Sequence, residues 1–195
     1  MQNDPQTAPP RDTHVYKVVD GRGIEADVIG AHPGASKPCV VWIHGGGLIF
    51  GSREKSPRAP FLQALLARDF VIVSIDHRLA PETKLPDIVD DVRDAWRWVH
   101  EVGPHRFGID ATRVVMAGGS AGAYLSLVAG TLFEPQPRAL ASFWGYGDIT
   151  AAWEANPSAH YRQMKLVTRE DADASLSAPP LQDPAVGGAM IESCV

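Results

Sequence analysis

The feature that most constrains this fold is a short apolar run that ends abruptly in small residues. Val114–Ala117 is apolar and is followed at residues 118–122 by the pattern Gly-x-Ser-x-Gly, after which the residues suit a helix. This order predicts a buried strand, a tight turn at Ser120 and a helix that returns across the strand. We expect Gly118 and Gly122 to lie where the helix crosses so closely that a side chain would collide with backbone.

A second glycine-rich motif lies upstream. The apolar run Cys39–Ile43 is typical of a strand covered on both faces, and it leads directly into His44–Gly47, with the sequence HGGG. Bare glycines leave backbone N–H groups unshielded, which suits the binding of a negatively charged oxygen. Either motif alone is weak evidence for a catalytic site, because turns of small residues are common in proteins. Together, with a strand before each of them, they predict one site in which Ser120 faces backbone amides.

A third segment, Asp76–Glu82 with the sequence DHRLAPE, follows another apolar run at Phe70–Ile75. With these three motifs in this order, the chain resembles the hormone-sensitive-lipase-like esterase group of the α/β-hydrolases over about residues 22–150. The resemblance implies an α/β fold, with a doubly wound, mostly parallel sheet and a helical cap segment. It also implies hydrolysis of a carboxylic ester through an acyl-serine intermediate.

The resemblance assigns roles to individual residues. Ser120 is implied as the nucleophile. The oxyanion hole is implied at the backbone N–H groups of Gly45, Gly46, Gly47 and Ala121. His44 is expected to brace the glycine turn by hydrogen bonding, and Asp76 also occupies a supporting position. His77 stands where the group commonly has tyrosine, and neither histidine is assigned as the base.

The general base and its acidic partner are not evident. In α/β-hydrolases they follow the serine, and in the resembled group they lie after the seventh and eighth strands. We predict neither strand after Ser120, so the chain is expected to be a truncated form that lacks the last two strands and the Asp and His of the triad. His160 is the only histidine downstream of Ser120, and its interpretation stays open between a base and a surface residue of the cap. The candidate acids, which lack a strand-end context, are Asp148, Asp171, Asp173 and Asp183.

The order of elements predicts one domain. Residues 1–13 are expected to be a disordered lead-in, and residues 14–195 a single α/β-hydrolase domain with core 14–149, cap segment 150–177 and tail 178–195. The alternation of strands and helices predicts a mostly parallel sheet. The remaining predicted strands are 15–19, 24–29 and 139–145, and the predicted helices are 56–68, 87–101 and the segment that follows Ser120.

Composition excludes several classes of protein. The 195 residues carry a net charge of −5, which disfavours a nucleic-acid or anionic membrane surface. No apolar run approaches the ~18 residues that span a bilayer, and no apolar leader segment begins the chain, so we expect a soluble, cytoplasmic protein. The two cysteines are too few for a disulfide scaffold. The phosphate-loop pattern is absent and the glycine runs do not fit G-x-G-x-x-G, so no cofactor is implied.

Two charged groups are interpreted as solvated surface. The basic residues Arg53, Lys55 and Arg58 are expected in an exposed loop rather than a phosphate site. Four carboxylates open the predicted helix at residues 87–101: Asp87, Asp90, Asp91 and Asp94. No histidine joins them at ligand spacing, and carboxylates favour the first turns of a helix, so no metal site is expected.

Three functions remain open at this point. The first is a serine hydrolase that acts on a small-molecule ester. The second is a catalytically dead pseudohydrolase that binds a small acid or ester in the same pocket. The third is an assembly role, since the run Ala139–Trp144 becomes an apolar sheet edge if no further strand follows it, and such an edge could drive self-association.

Overall fold

The computed structural model describes residues 10–55, 59–146, 148, 156, 158–164, 167, 168, 170, 171 and 174. Its strands are β1 (Arg11–Val19), β2 (Arg22–Ile29), β3 (Lys37–Ile43), β4 (Val71–Ile75), β5 (Ile109–Gly119) and β6 (Leu140–Phe143). Its α-helices are α1 (Ala59–Leu66), α2 (Leu85–Phe107) and α3 (Ala121–Leu132), and short 3₁₀ turns lie at Arg53–Lys55 and Tyr161–Gln163.

The six strands form one mixed sheet in the order β1-β2-β4-β3-β5-β6. The pairs β3–β4, β3–β5 and β5–β6 are parallel, whereas β1–β2 and β2–β4 are antiparallel. Parallel neighbours need a crossover between them, and α1, α2 and α3 supply the crossovers from β3 to β4, β4 to β5 and β5 to β6. The predicted α/β fold with a mostly parallel sheet is therefore confirmed.

Helices cover both faces of the sheet, which explains why its central strands are apolar throughout. Along β3, Val41 and Ile43 belong to the main core under α2 and α3, while Val40 and Trp42 face the opposite side. There they pack against Phe61 of α1. Alternate residues of one strand thus fill two separate cores, as the two-residue period of a strand requires.

The first strand begins earlier than predicted. Residues 11–13, expected in the disordered lead-in, are part of β1, where the side chains of Arg11 and Thr13 bind the buried carboxylate of Asp27 on β2. Thr13 Oγ1 donates to Asp27 at 2.8 Å and Arg11 Nη1 lies 3.3 Å from it. The two strands are joined at Asp20 and Gly21, both with positive φ (49° and 76°), as a two-residue hairpin turn requires.

Helix α2 is longer than the predicted span of 87–101 and continues through Pro104 to Phe107. Its buried stripe continues at Val99, Gly103 and Phe107, each four residues apart, so packing extends the helix through residues of poor helix propensity. It ends at Gly108, whose φ of 70° is left-handed and whose N–H binds the carbonyl oxygen of Gly103. The connection from α2 to β5 is thus a single residue, Gly108.

The remaining segments are described only in part. β6 is shorter than the predicted 139–145 strand and ends at Phe143. Most of the predicted cap segment, the whole tail and the predicted helix start at residues 56–58 lie outside the described residues. Within the cap range, the N–H of Asp171 donates to Thr168 Oγ1 at 3.1 Å, as in a capping box. Among the described helices, none has the length and apolar character needed to cross a bilayer.

Candidate active site

Ser120 lies in the tight turn between β5 and α3. Its φ of 53° and ψ of −117° are unfavourable for any residue with a side chain. The turn is held by hydrogen bonds from Ser120 N to Phe143 O at 3.0 Å and from Tyr124 N to Ser120 O at 3.1 Å. The serine therefore keeps a strained backbone because β6 and the first turn of α3 both bind it.

The two glycines of the pattern lie where helix and sheet touch, as predicted. A Cβ at Gly118 would overlap the backbone of Gly122. A Cβ at Gly122 would overlap the carbonyl oxygen of Ile43, at the end of β3. Since backbone atoms cannot move aside as a flexible side chain can, both positions require glycine. The close contact brings the end of β3, and the glycines after it, next to Ser120.

The segment from Gly45 to Ser52, here called the glycine loop, follows β3 and packs on the serine turn. A Cβ built on Gly45 would lie 2.8 Å from Gly119 O and 3.2 Å from Ser120 Cβ. Within the described part of the chain, no acceptor binds the N–H groups of Gly46, Gly47 or Ala121. Ala121 is the first residue of α3, where backbone N–H groups have no partner inside the helix. Three unused donors therefore lie in the loop and turn that flank Ser120.

A cavity of about 320 Å³ opens at the serine. It is lined by Gly47, Leu48, Leu85, Ser120, Ala121, Tyr124 and Tyr146. No charged side chain belongs to this lining, so the cavity suits a small uncharged group. Tyr124, one helical turn after Ser120, could have been found from the sequence, whereas nothing local marks Leu85 or Tyr146 as lining residues.

His44 and His77 stack on each other behind the glycine loop. Their ring centroids are 4.4 Å apart and their planes differ by 13°. Each Nδ1 binds the carbonyl oxygen of the next residue, at 2.7 Å for His44 and 2.9 Å for His77. Burial lowers the pKa of His44, and burial together with the neighbouring His44 lowers the pKa of His77 to about 3. Both rings are thus neutral near pH 7, and neither lines the cavity at Ser120.

Mild acid is expected to destabilise the protein through these histidines. A histidine in an unfolded chain has a pKa of ~6.5. Below that pH the unfolded chain therefore binds a proton at His77, whereas the folded protein, in which His77 is buried, does not. The free energy of unfolding should then fall by about 1.4 kcal/mol per pH unit for each such histidine, until the pH nears the folded pKa. Above about pH 6.5 these histidines should cause no further change in the free energy of unfolding, because they are neutral in both states.

Urea unfolding measured between about pH 5 and pH 7 tests this expectation, because this window lies above the ordinary pKa of Asp and Glu. In His77→Gln the dependence of the unfolding free energy on pH should weaken by about one proton. A His77→Gln profile as steep as that of the unchanged protein would contradict the neutral, buried state of His77.

Asp76 lies directly after β4 and binds Arg53, the residue that follows the glycine loop. Its carboxylate accepts a hydrogen bond from the backbone N–H of Arg53 at 2.7 Å and also binds the guanidinium. The guanidinium binds Glu25 at 2.8 Å and Asp27 at 2.9 Å as well, and only 12% of the Arg53 side chain is exposed. The prediction that Arg53 lies in a solvated basic loop is therefore wrong, because the chain folds back there onto carboxylates of β2 and of the residue after β4.

The carboxylates of α2 also need a correction. Asp91 is fully buried rather than solvated, and it binds Arg78 and Lys17, each at 2.8 Å. Burial raises its pKa, but these hydrogen bonds outweigh burial and lower the pKa below its ordinary value. Asp94 shares Lys17 at 2.7 Å, whereas Asp87 and Asp90 are exposed. Within the described residues, no three His, Cys, Asp or Glu side chains are grouped so as to hold a metal ion.

The structure does not bring His160 to the serine. His160 lies in an exposed turn before the 3₁₀ segment Tyr161–Gln163 and is not among the residues that line the cavity. Two of the candidate acids, Asp148 and Asp171, are also exposed, and the other two lie outside the described residues. The described chain thus combines Ser120 with backbone donors, without a histidine or carboxylate at the cavity.

Comparisons with known proteins agree with this geometry. The BD-FAE family model matches residues 29–144, which is more than half of the chain. The non-reducing polyketide synthase Preu6 of Preussia isomera is 36% identical over 166 residues, covering 77% of this chain and 8% of that protein. Esterase LipI of Mycobacterium tuberculosis is 37% identical over 94 residues, covering 48% of this chain and 29% of LipI.

A solved structure shares the fold as well. Esterase 2 of Thermogutta terrifontis, phosphonylated by cyclosarin, superimposes with a TM-score of 0.56 at 27% identity. The match covers 64% of this chain and 48% of the esterase. The chain therefore spans less than a third of LipI and about half of the solved esterase.

Proposed function

Because the chain belongs to the BD-FAE family of α/β-hydrolase-like domains, we propose that it carries the nucleophile and the oxyanion hole of a serine esterase. The single observation that supports this most is the strained Ser120, which packs against the backbone of Gly45 and precedes the unused N–H of Ala121. Strain of this kind costs about 1–3 kcal/mol and concentrates at functional sites. The similarity to esterases supports the same conclusion.

The proposed reaction is acyl transfer. Ser120 Oγ attacks the ester carbonyl carbon, its proton passes to a base, and the carbonyl oxygen becomes an oxyanion between the N–H of Ala121 and those of Gly46 and Gly47. The alcohol then leaves and water hydrolyses the acyl-serine. Each such donor contributes on the order of 10²–10³ in rate. The apolar lining of the cavity favours a small ester whose acyl and alcohol groups carry no charge.

The proton acceptor for Ser120 is the part that the described residues do not supply. All seven histidines are described, and none of them lines the cavity. We therefore propose that the described residues lack the His of the triad and its acidic partner, which would come from further sequence or from a second chain. Without them, acylation would be slow and turnover slower still, since a serine hydroxyl is a weak nucleophile until a base accepts its proton.

A fluorophosphonate probe tests this proposal directly. We expect one adduct per chain, found by intact mass and assigned to Ser120 by peptide mapping, and no adduct on the urea-unfolded chain. With p-nitrophenyl acetate we expect a burst of at most one equivalent of nitrophenol, followed by a slow steady rate. The absence of any adduct, or an adduct on another residue, would overturn the proposal.

A pseudohydrolase is the alternative that the lack of a histidine at the cavity favours. It would bind a small acid or ester at Ser120 without forming a covalent bond. Ligand binding would then raise the melting temperature while the probe leaves the protein unmodified. Binding that survives a bulky side chain at Gly46 or Ala121 would contradict this alternative.

An assembly role is favoured by the edge of the sheet. Within the described chain, β6 pairs only with β5, and the side chains of Leu140, Trp144 and Tyr146 are 40%, 75% and 53% exposed. An apolar strand edge of this kind tends to pair with another strand. Self-association through β6 would appear as a concentration-dependent dimer in size-exclusion chromatography, and a monomer at all concentrations would exclude it.

A further inference from the structure

The glycine loop cannot hold its shape by local preferences alone. Four of its residues have positive φ: Gly46 (119°), Leu48 (66°), Gly47 (61°) and Gly51 (110°). A positive φ is costly for Leu48. Glycine adopts positive and negative φ about equally, so the three glycines do not favour this loop conformation over others. Its internal hydrogen bonds are few, since Ile49 N and Phe50 N share the carbonyl oxygen of Gly46. The loop must therefore be fixed by contacts with the rest of the protein.

One end of the loop is fixed by the sheet, because His44 directly follows β3 and stacks on His77. The other end is fixed at Arg53 by both of its backbone groups. Arg53 N donates to Asp76 Oδ1 at 2.7 Å, and Arg53 O accepts a hydrogen bond from Ser74 Oγ at 2.9 Å. Both partners lie on or directly after β4, the strand next to β3 in the sheet.

The guanidinium of Arg53 joins three acidic side chains from two strands. It binds Glu25 and Asp27 of β2 and Asp76 after β4. Burial raises the pKa of Asp27, but hydrogen bonds from Thr13 and Arg53 outweigh burial and hold that pKa below its ordinary value. Arg11 lies farther from Asp27, at 3.3 Å against 2.9 Å for Arg53, so Arg53 is the closer of the two guanidinium partners.

We propose that Arg53 is a positioning residue that fixes the far end of the glycine loop, so that the amide hydrogens of Gly46 and Gly47 face Ser120. The middle of the loop is held separately, by the hydrogen bond that Ala80 N donates to Leu48 O at 2.8 Å. Arg53 itself does not line the cavity and acts only through the loop. The inference rests on the proposed esterase function for its catalytic consequence. Its structural part, the ordering of the loop by Arg53, holds or fails independently of catalysis.

Arg53→Lys is the informative substitution. Lysine keeps one positive charge among the carboxylates, but a single ammonium cannot reproduce the forked contacts of a guanidinium. We expect the hydrogen-bonded amides of Ile49 and Phe50 in the glycine loop to exchange hydrogen about tenfold faster, while those of β3 and β4 exchange as before. The maximal rate of Ser120 acylation by p-nitrophenyl acetate should fall about 10- to 100-fold, which is less than the loss expected when one oxyanion donor is removed completely. The substrate concentration that gives half of the maximal rate should change by less than about twofold.

Two further variants separate positioning from general destabilisation. Asp76→Asn weakens the acceptor for Arg53 N–H and should reproduce both effects of Arg53→Lys. Arg113→Lys is the matched control, since Arg113 also binds an aspartate, Asp110 at 2.7 Å, and a backbone carbonyl, but lies on β5 well before the serine turn. It should leave loop exchange and the acylation rate unchanged.

The outcomes are distinguishable. Unchanged loop exchange in both Arg53→Lys and Asp76→Asn overturns the inference. An equal acceleration of exchange in Arg113→Lys also overturns it, because the effect would then follow overall stability. If the unchanged protein forms no adduct with the fluorophosphonate probe, the proposed function fails, and faster exchange confined to the loop still supports the structural part of the inference.

Discussion

Ser120→Ala should abolish fluorophosphonate labelling and lower the rate of acylation by p-nitrophenyl acetate by at least about 10³-fold. The reason is that the proposed reaction forms its covalent bond at the Ser120 hydroxyl, and Ser120 is the one serine among the described residues that line the cavity. The backbone N–H groups of Gly46, Gly47 and Ala121 are unaffected by the substitution. Intact mass and burst kinetics measure both effects. Ser126→Ala is a control from the adjoining helix α3, since Ser126 Oγ donates to Gly122 O, at 2.8 Å.

The same position gives a second, opposite expectation for stability. Ser120→Gly should raise the free energy of unfolding by about 1 kcal/mol, because glycine relieves about 1–3 kcal/mol of backbone strain and loses about 0.5–1 kcal/mol through the entropy of the unfolded chain. Ser120→Ala keeps the Cβ and should leave stability nearly unchanged. Urea unfolding of the three proteins measures this, and a less stable Ser120→Gly variant would show that the turn is not strained.

Gly122→Ala should destabilise the protein by about 3–5 kcal/mol, in the range reached only by severe substitutions. An alanine Cβ would overlap the carbonyl oxygen of Ile43 and lie 2.6 Å from that of His44. Relief would require α3 to move away from β3, which opens the core around Leu125 and displaces the serine turn. The unfolding free energy and the fluorophosphonate labelling rate should therefore both fall.

Gly130→Ala is the matched control for this prediction, because it lies in the same helix. The three atoms that would lie nearest to its Cβ all belong to the side chain of Leu140, which is 40% exposed and can turn aside. Alanine also favours a helix over glycine by about 1 kcal/mol, so stability should change by no more than about 1 kcal/mol in either direction. Equal losses in the two variants would contradict the close approach of α3 to β3.

Local sequence was sufficient wherever a feature depends on neighbouring residues. The turn at Ser120 was predicted because an apolar strand, small residues and a helix follow one another directly. The central strands were predicted because burial on both faces requires continuous apolar runs. Gly118 was predicted to lie at a close approach of the helix to its own strand, and its Cβ would overlap the backbone of Gly122. The same approach was predicted for Gly122, but its Cβ would overlap the carbonyl oxygen of Ile43 on β3, a strand far away in the sequence. The chemical roles of these residues remain proposals.

Only the tertiary structure decided which charges are buried. Arg53 and Asp91 both look like solvated residues in the sequence, because their partners come from other elements: Glu25, Asp27 and Asp76 for Arg53, and Lys17 and Arg78 for Asp91. A charge can be buried when such partners compensate it, and no local pattern records a partner that folding brings from another strand.

The same distinction holds for the site as a whole. The sequence by itself determined the fold class, the serine turn and the glycine loop, since steric limits on strands, turns and glycines act over a few adjacent residues. The tertiary structure decided the length of α2, the lining of the cavity by Leu85 and Tyr146, and the anchoring of the loop at Arg53. These depend on packing and electrostatic contacts between segments far apart in the chain, which exist only once the sheet has formed.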